Sequence, residues 1–253
     1  MKLDFEKALT YMGKDNQFIS KLLIGSFLLL ASMAVFFIPV IIALTSGSMI
    51  GTAGSFTVCF LLSLIIIMAL AGYFCKTSNN RIKDENAILP DWNDLGTYIL
   101  IGIKYFVGYF VYVLPLCFFG LIFMFLFVFS VGGAHSSAIS SAMSFIVLTL
   151  AGAAALFVYV LTMAFLPLMM SNFNDKLKIL AFVDFKDAFG MVKNNIGNYL
   201  VLILLFIALC VLGQVLCTFL CITLVGVVLI PVVYFYIYLV LAEVIAQFVN
   251  SKD

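Results

Sequence analysis

Long apolar runs broken by a few short polar stretches organise this chain from end to end. A helix rises about 1.5 Å per residue, so crossing roughly 30 Å of hydrocarbon takes about 20 apolar residues. The pattern predicts six such crossings. The first two cover residues 22–44 and 56–74, separated by an uncharged Gly/Ser-rich stretch at 45–55. The third run, residues 98–131, is too long for one crossing and contains Lys104, which is costly near a bilayer centre. Its first part is expected at the interface and its span at 108–131, followed by a loop at 132–137. A fourth span is expected at 138–170, tilted or kinked near Pro167. The last run, residues 199–248, would be roughly 75 Å long as one helix and must fold back. The breaker near its middle is the 223–226 region, which predicts spans at 199–221 and 227–248.

Composition excludes a soluble reading of the same runs. Hydrophobic residues make up 65% of the 253 residues and charged residues 10%, against about 45–50% and about 25% in a globular protein. A soluble domain of this size could not hide that much apolar side chain. The net charge of +1 leaves no basic excess for nucleic acid. A cleavable signal peptide competes for the first span, because Ala31-Ser32-Met33-Ala34 resembles a cleavage site. Asp4, Glu6 and Asp15 upstream are unlike a basic leader, however, and the apolar run continues past the site.

The basic residues sort by side. Lys2, Lys7, Lys14 and Lys21 precede span one; Lys76, Arg81, Lys83 and Lys104 lie between spans two and three. Lys176, Lys178, Lys186 and Lys193 lie between spans four and five, and Lys252 is in the tail. In a six-span chain all 13 fall on one side. By the positive-inside rule the expectation is a plasma-membrane protein with both termini cytoplasmic.

Three segments on that side start alike: Asp4-Phe5-Glu6-Lys7-Ala8-Leu9, Asp91-Trp92-Asn93-Asp94-Leu95-Gly96 and Asp184-Phe185-Lys186-Asp187-Ala188-Phe189. Each sets an Asp at a helix N-cap position, where its carboxylate accepts orphan amide protons, with an aromatic residue next. In the first copy Phe5, Ala8, Leu9 and Met12 form one helical stripe; in the third Phe185, Ala188, Phe189, Val192 and Ile196 do. An amphipathic helix beside a span belongs in the interface, its aromatic residues at headgroup depth. The predicted fold is therefore an all-α membrane protein, one integral domain of three units at about 1–80, 90–172 and 183–250. Each unit is an interfacial helix plus a transmembrane hairpin, with cytoplasmic linkers at about 76–97 and 171–198.

The segment from Ala71-Gly72-Tyr73 through Asn80 to Leu89-Pro90-Asp91-Trp92-Asn93-Asp94 resembles the domain of unknown function 4013 family, and the opening Asp4-Phe5, Lys7-Ala8-Leu9 and Lys21-Leu22-Leu23-Ile24-Gly25 is similar to that family's start. The resemblance implies a multi-pass membrane protein and carries no activity, cofactor or site.

Candidate functional residues are few. Glu243 is the acidic residue inside a predicted span. With Tyr236, Gln247 and Asn250 it shares a helix face that would line a polar cleft open to the cytoplasm; otherwise it pairs with a Lys such as Lys21 or Lys193. Gln214 reads as interhelical glue. Phe5, Trp92 and Phe185 read as interfacial anchors, and Asp4, Asp91 and Asp184 as caps, with Asp94 beside Asp91 behind Pro90. His135 stands alone, and the six cysteines fall in or beside spans without metal-ligand spacing. Gly47 and Gly51 have small-residue packing spacing but lie in a predicted loop.

No catalytic pair, cofactor motif or metal cluster is legible, so the chain is expected to be a non-enzyme with no cofactor. The favoured reading is a scaffold that binds lipids or a protein partner through its cytoplasmic-face helices; the alternative is a carrier for an apolar or uncharged solute with Glu243 in the cleft. The scaffold reading expects Ala at Phe5, Trp92 and Phe185 to impair packing or partner capture, and Glu243→Gln to be nearly silent. Neither reading sets the oligomeric state.

Overall fold

The computed structural model describes residues 3–35, 37–46, 49–133, 138–193 and 195–251. Their helices are α1 (Phe5–Thr10), α2 (Phe18–Val35), α3 (Phe37–Ser46), α4 (Met49–Lys83), α5 (Leu95–Gly133), α6 (Ala138–Lys176), α7 (Phe185–Lys193), α8 (Ile196–Leu220) and α9 (Leu224–Asn250). Among the described residues six stretches are long and apolar enough to cross a membrane: Phe18–Thr45, Gly51–Lys83, Leu95–Val128, Phe145–Lys176, Ile196–Leu220 and Gly226–Asn250. His135 and Gly47 lie outside the described residues.

Burial runs opposite to that of a soluble protein. Phe27, Leu121, Phe157 and Leu204 point outward and exposed, whereas Ser78, Asn172, Asn174 and Glu243 are buried. Such a surface suits hydrocarbon, which solvates apolar side chains and leaves polar ones to pair inside the protein. α4 and α9 form the centre. α9 packs on α1, α2, α4, α6 and α8, and α4 on α2, α3, α5, α6 and α9. From Leu239 to Val249 α9 is buried on every side, which explains why it is apolar all round but for Glu243 and Gln247. The crossing of α4 and α5 is backbone on backbone. A Cβ at Gly72 would lie 1.8 Å from the Tyr98 carbonyl oxygen, and one at Gly102 1.9 Å from that of Met68. Only glycine admits this approach.

Hydropathy and helix length part company in the middle of the chain. At 39 residues each, α5 and α6 are about 58 Å long, nearly twice the hydrocarbon thickness. The interfacial segment expected at 98–107 is thus the first part of an unbroken helix, with Lys104 exposed on it. The loop expected at 45–55 shrinks likewise, since α4 already starts at Met49. Hydropathy marks where the hydrocarbon lies, and nothing in it stops a helix at the headgroups. Pro115, Pro167 and Pro231 sit inside continuous helices. The last hairpin turns where the sequence indicates: Thr223 caps α9, its hydroxyl accepting from the Gly226 amide at 2.9 Å.

Two of the three expected short helices form, α1 and α7. Small residues of their stripes, Ala8 and Ala188, are buried, while Phe5 and Phe185 are exposed. At the second position Trp92 and Asn93 form a turn and the helix beginning at Leu95 runs straight into the span. The first and third copies are followed by turn residues, Gly13-Lys14-Asp15-Asn16 and Asn194-Asn195, and the second is not.

Candidate functional site

At the end where α4, α6 and α9 terminate, three polar features converge. The first is an ion pair. The last turn of α4 carries Arg81 and the last third of α9 carries Glu243, with side chains 3% and 2% exposed. Arg81 Nε donates to one carboxylate oxygen and Nη2 to the other, the latter at 2.8 Å; Nη1 donates to the carbonyls of Glu85 and Ala87. The Tyr11 ring lies 5.0 Å from the guanidinium carbon. Gln247 Nε2 donates to Glu243 at 3.2 Å and to the Asp4 carbonyl at 3.1 Å, and its oxygen accepts from the Asp4 amide at 2.8 Å. Tyr236 donates to the Leu9 carbonyl at 3.2 Å and Asn250 to that of Arg81 at 3.5 Å. Burial and the neighbouring Glu243 charge push the Tyr11 phenol well above its ordinary range, so it stays a neutral donor, here to the Leu239 carbonyl at 3.1 Å.

The four residues expected to line a cleft therefore do share a face, but what they face is the N-terminal segment and α4. Glu243 is 1% exposed, and its partner is Arg81, not Lys21 or Lys193. A silent Glu243→Gln no longer follows, because the change would strand a buried guanidinium. The signal missed was Arg81, read with the linker lysines as a solvated charge although it follows the span without a break.

The second feature is a latch built from the Leu89-to-Asp94 motif. Lys21 Nζ bonds Asp15 at 2.9 Å, Asp91 at 2.8 Å and the Leu89 carbonyl at 2.7 Å. Tyr73 donates to the Pro90 carbonyl at 2.9 Å, and Tyr98 donates to that of Asp91. Trp92 stacks on Tyr73 at 4.0 Å and 6° and donates through Nε1 to the Lys21 carbonyl at 3.1 Å. Trp92 is thus a packed strut joining α2, α4 and α5 rather than a headgroup anchor. Asp91 is not the cap of α5; Asp94 is, accepting from the Thr97 amide at 3.3 Å, and the residues between are held by the stack. Asp4 and Asp184 are caps as read, accepting from Lys7 at 3.0 Å and Asp187 at 3.2 Å. That amide, followed by Lys176, holds the Asp184 carboxyl below its usual range.

The third feature is a set of buried amides. Asn79 donates to the carbonyls of Asn174 and Asp175 at 2.6 and 2.9 Å, and Asn172 to that of Ala181 at 2.8 Å. Yet Ser78 Oγ, Asn79 Oδ1, Asn172 Oδ1 and both side-chain polar atoms of Asn174 have no partner among the described residues. Sequence reasoning passed over Ser78-Asn79 and Ser171-Asn172-Phe173-Asn174 as linker; both continue spanning helices inward of their ends.

Beside these features lies a cavity of about 400 Å³ between α2, α4, α5, α6, α8 and α9, walled by apolar side chains such as Leu70, Phe74, Leu166, Met170, Phe235 and Leu239. Its size is at the low end of small-molecule pockets, roughly 300–1,000 Å³. Tyr234 reaches Gln214 at 3.5 Å across α8 and α9. The six cysteines are free, and among the described residues no three His, Cys, Asp or Glu side chains group to hold a metal.

Six apolar spans around a buried polar end define a polytopic helical membrane protein. The family described as Protein of unknown function (DUF4013) matches residues 55–222, and the chain belongs to it. The match contains the latch motif and does not extend to the N-terminal segment expected to resemble the family's start. No curated protein and no solved structure matches the chain.

Proposed function

We propose that this chain is a non-catalytic multi-pass protein of the plasma membrane that binds a lipid chain in its intramembrane cavity. One observation carries the reading: a partly open, apolar-lined pocket of about 400 Å³ between α2, α4, α5, α6, α8 and α9. Apolar cavities of this kind take apolar ligands in preference to water. The polar end supports a cytoplasmic placement of both termini, because Lys7, Arg81 and Lys176 gather there. α1 and α7, with Phe5 and Phe185 exposed, suit helices resting at the interface, open to lipid headgroups or a protein partner. The three Asp caps, Asp4, Asp94 and Asp184, are evenly spaced along the chain, which supports three related units with the register of the second moved from Asp91 to Asp94.

The test is photolabelling of the full chain in lipid nanodiscs with a diazirine-bearing acyl lipid, followed by peptide mapping. Label is expected on the Leu70–Phe74 and Leu166–Met170 segments and is expected to fall when Ala71→Phe fills the space. Label confined to the outer faces, unchanged by Ala71→Phe, would sink the reading. A carrier for an apolar solute would use the same cavity, and solute flux in proteoliposomes separates the two.

A further inference from the structure

The cavity wall and the unpartnered amides lie on the same helix rows. On α4 the lining residues Leu70 and Phe74 are followed at the next i+4 step by Ser78; on α6 Leu166 and Met170 are followed by Asn174; on α9 Phe235 and Leu239 are followed by Glu243. Residues four apart stack on one helix face, so these three form a layer about 6 Å beyond the apolar wall. Glu243 in that layer is consumed by Arg81 and Gln247. Ser78 and Asn174 are 0% exposed and unpaired, Asn174 at both its oxygen and its nitrogen. Asn79, which donates to the Asn174 carbonyl, adds another unpaired oxygen. Buried polar groups are almost always paired, and leaving one unpaired is destabilising.

We infer that the cavity takes an amphiphile rather than a plain hydrocarbon: a neutral lipid whose hydroxyl-bearing head meets Ser78 and Asn174 while its chain fills the apolar space. This rests on the cavity reading above. The chemistry selects the head. The unpaired set is rich in acceptors, Asn79 Oδ1 and Asn174 Oδ1, and holds one obligate donor, Asn174 Nδ2, with Ser78 able to act either way. A hydroxyl donates and accepts, and so serves both kinds. A carboxylate head would meet the amide oxygens of Asn79 and Asn174, and the Arg81 guanidinium that could receive it already donates to four oxygens. A cationic head would leave Asn174 Nδ2 unpaired. Met170, at the join of wall and layer, is a flexible side chain that can yield to a passing head group.

The experiment is native mass spectrometry of the full chain from detergent micelles with three probes: 1-monooleoylglycerol, oleic acid at pH 8 and 1-octadecene. Monooleoylglycerol is expected to bind at least 10-fold more tightly than the other two. Asn174→Leu and Ser78→Ala are expected to erase that preference and leave octadecene binding unchanged. Asn174→Leu should also melt no lower than wild type, since it removes an unpaired buried group; if it fails to fold, Ser78→Ala and the wild-type probe comparison still decide. Equal binding of monooleoylglycerol and octadecene, unmoved by either substitution, would overturn the head-group inference and leave the cavity reading standing. Failure of all three probes to bind would overturn both.

Discussion

Glu243→Gln tests the central ion pair most directly. The change keeps the side-chain shape and removes the charge that two guanidinium nitrogens of Arg81, Nε and Nη2, contact. Hydrogen bonds to a charged partner contribute about 1.5–3 kcal/mol each. Gln retains one acceptor, and the stranded guanidinium is 3% exposed, so the loss falls in the range of about 3–5 kcal/mol measured for half-broken buried pairs. Arg81→Met should lose a comparable amount by orphaning the carboxylate; the Glu85 and Ala87 carbonyls it also releases belong to an exposed and a half-buried residue that water can reach. The double variant Arg81→Met, Glu243→Leu is expected to recover to within about 1–2 kcal/mol of wild type, because a buried pair can be replaced by apolar groups of like volume at little net cost. The assay is reversible unfolding in mixed micelles with rising SDS, followed by the fluorescence of the single tryptophan, Trp92, which packs on Tyr73 in the same end of the bundle. A Glu243→Gln variant within about 1 kcal/mol of wild type, or a double variant whose loss equals the sum of the singles, would refute the assignment.

Three further outcomes are expected. Trp92→Ala should destabilise the fold by about 3 kcal/mol, the low end for an aromatic truncation because Trp92 is half-buried, read by circular dichroism in the same SDS titration; a loss under about 1 kcal/mol would return Trp92 to the role of a surface anchor. Asp94→Ala should cost about 1 kcal/mol by uncapping α5, whereas the effect of Asp91→Ala should vanish in a Lys21→Met background; hydrogen exchange at the Thr97 amide separates the two. The Asp184 carboxyl is held below its ordinary value, so its stabilisation of α7 is present above the usual carboxylate range and is lost as pH falls through the lowered value. Amide exchange in the first turn of α7 should therefore rise on acidification, and Asp184→Asn, which caps without titrating, should flatten that rise.

The sequence by itself determined the number of helices long and apolar enough to cross a membrane among the described residues, the last hairpin turn and two of the three caps. Each follows from hydropathy or from contacts within three or four residues, which a linear pattern records directly. The latch motif was also legible, as the residues that carry the family resemblance, though its purpose was not. Tertiary structure alone decided that Trp92 stacks on Tyr73, that α5 starts behind Asp94, and that Gly72 and Gly102 sit at the tightest crossing. It decided too that Glu243 pairs with Arg81, 162 positions away in the chain, rather than facing water or a nearer-seeming lysine. The physical reason is common to all of these. Inside a membrane bundle a polar group must find a partner within the protein, and which helix brings that partner depends on how the helices are arranged around α4 and α9, which no local pattern encodes. The same arrangement buries Ser78 and Asn174 without side-chain partners among the described residues, where the sequence shows only the polar end of two spans.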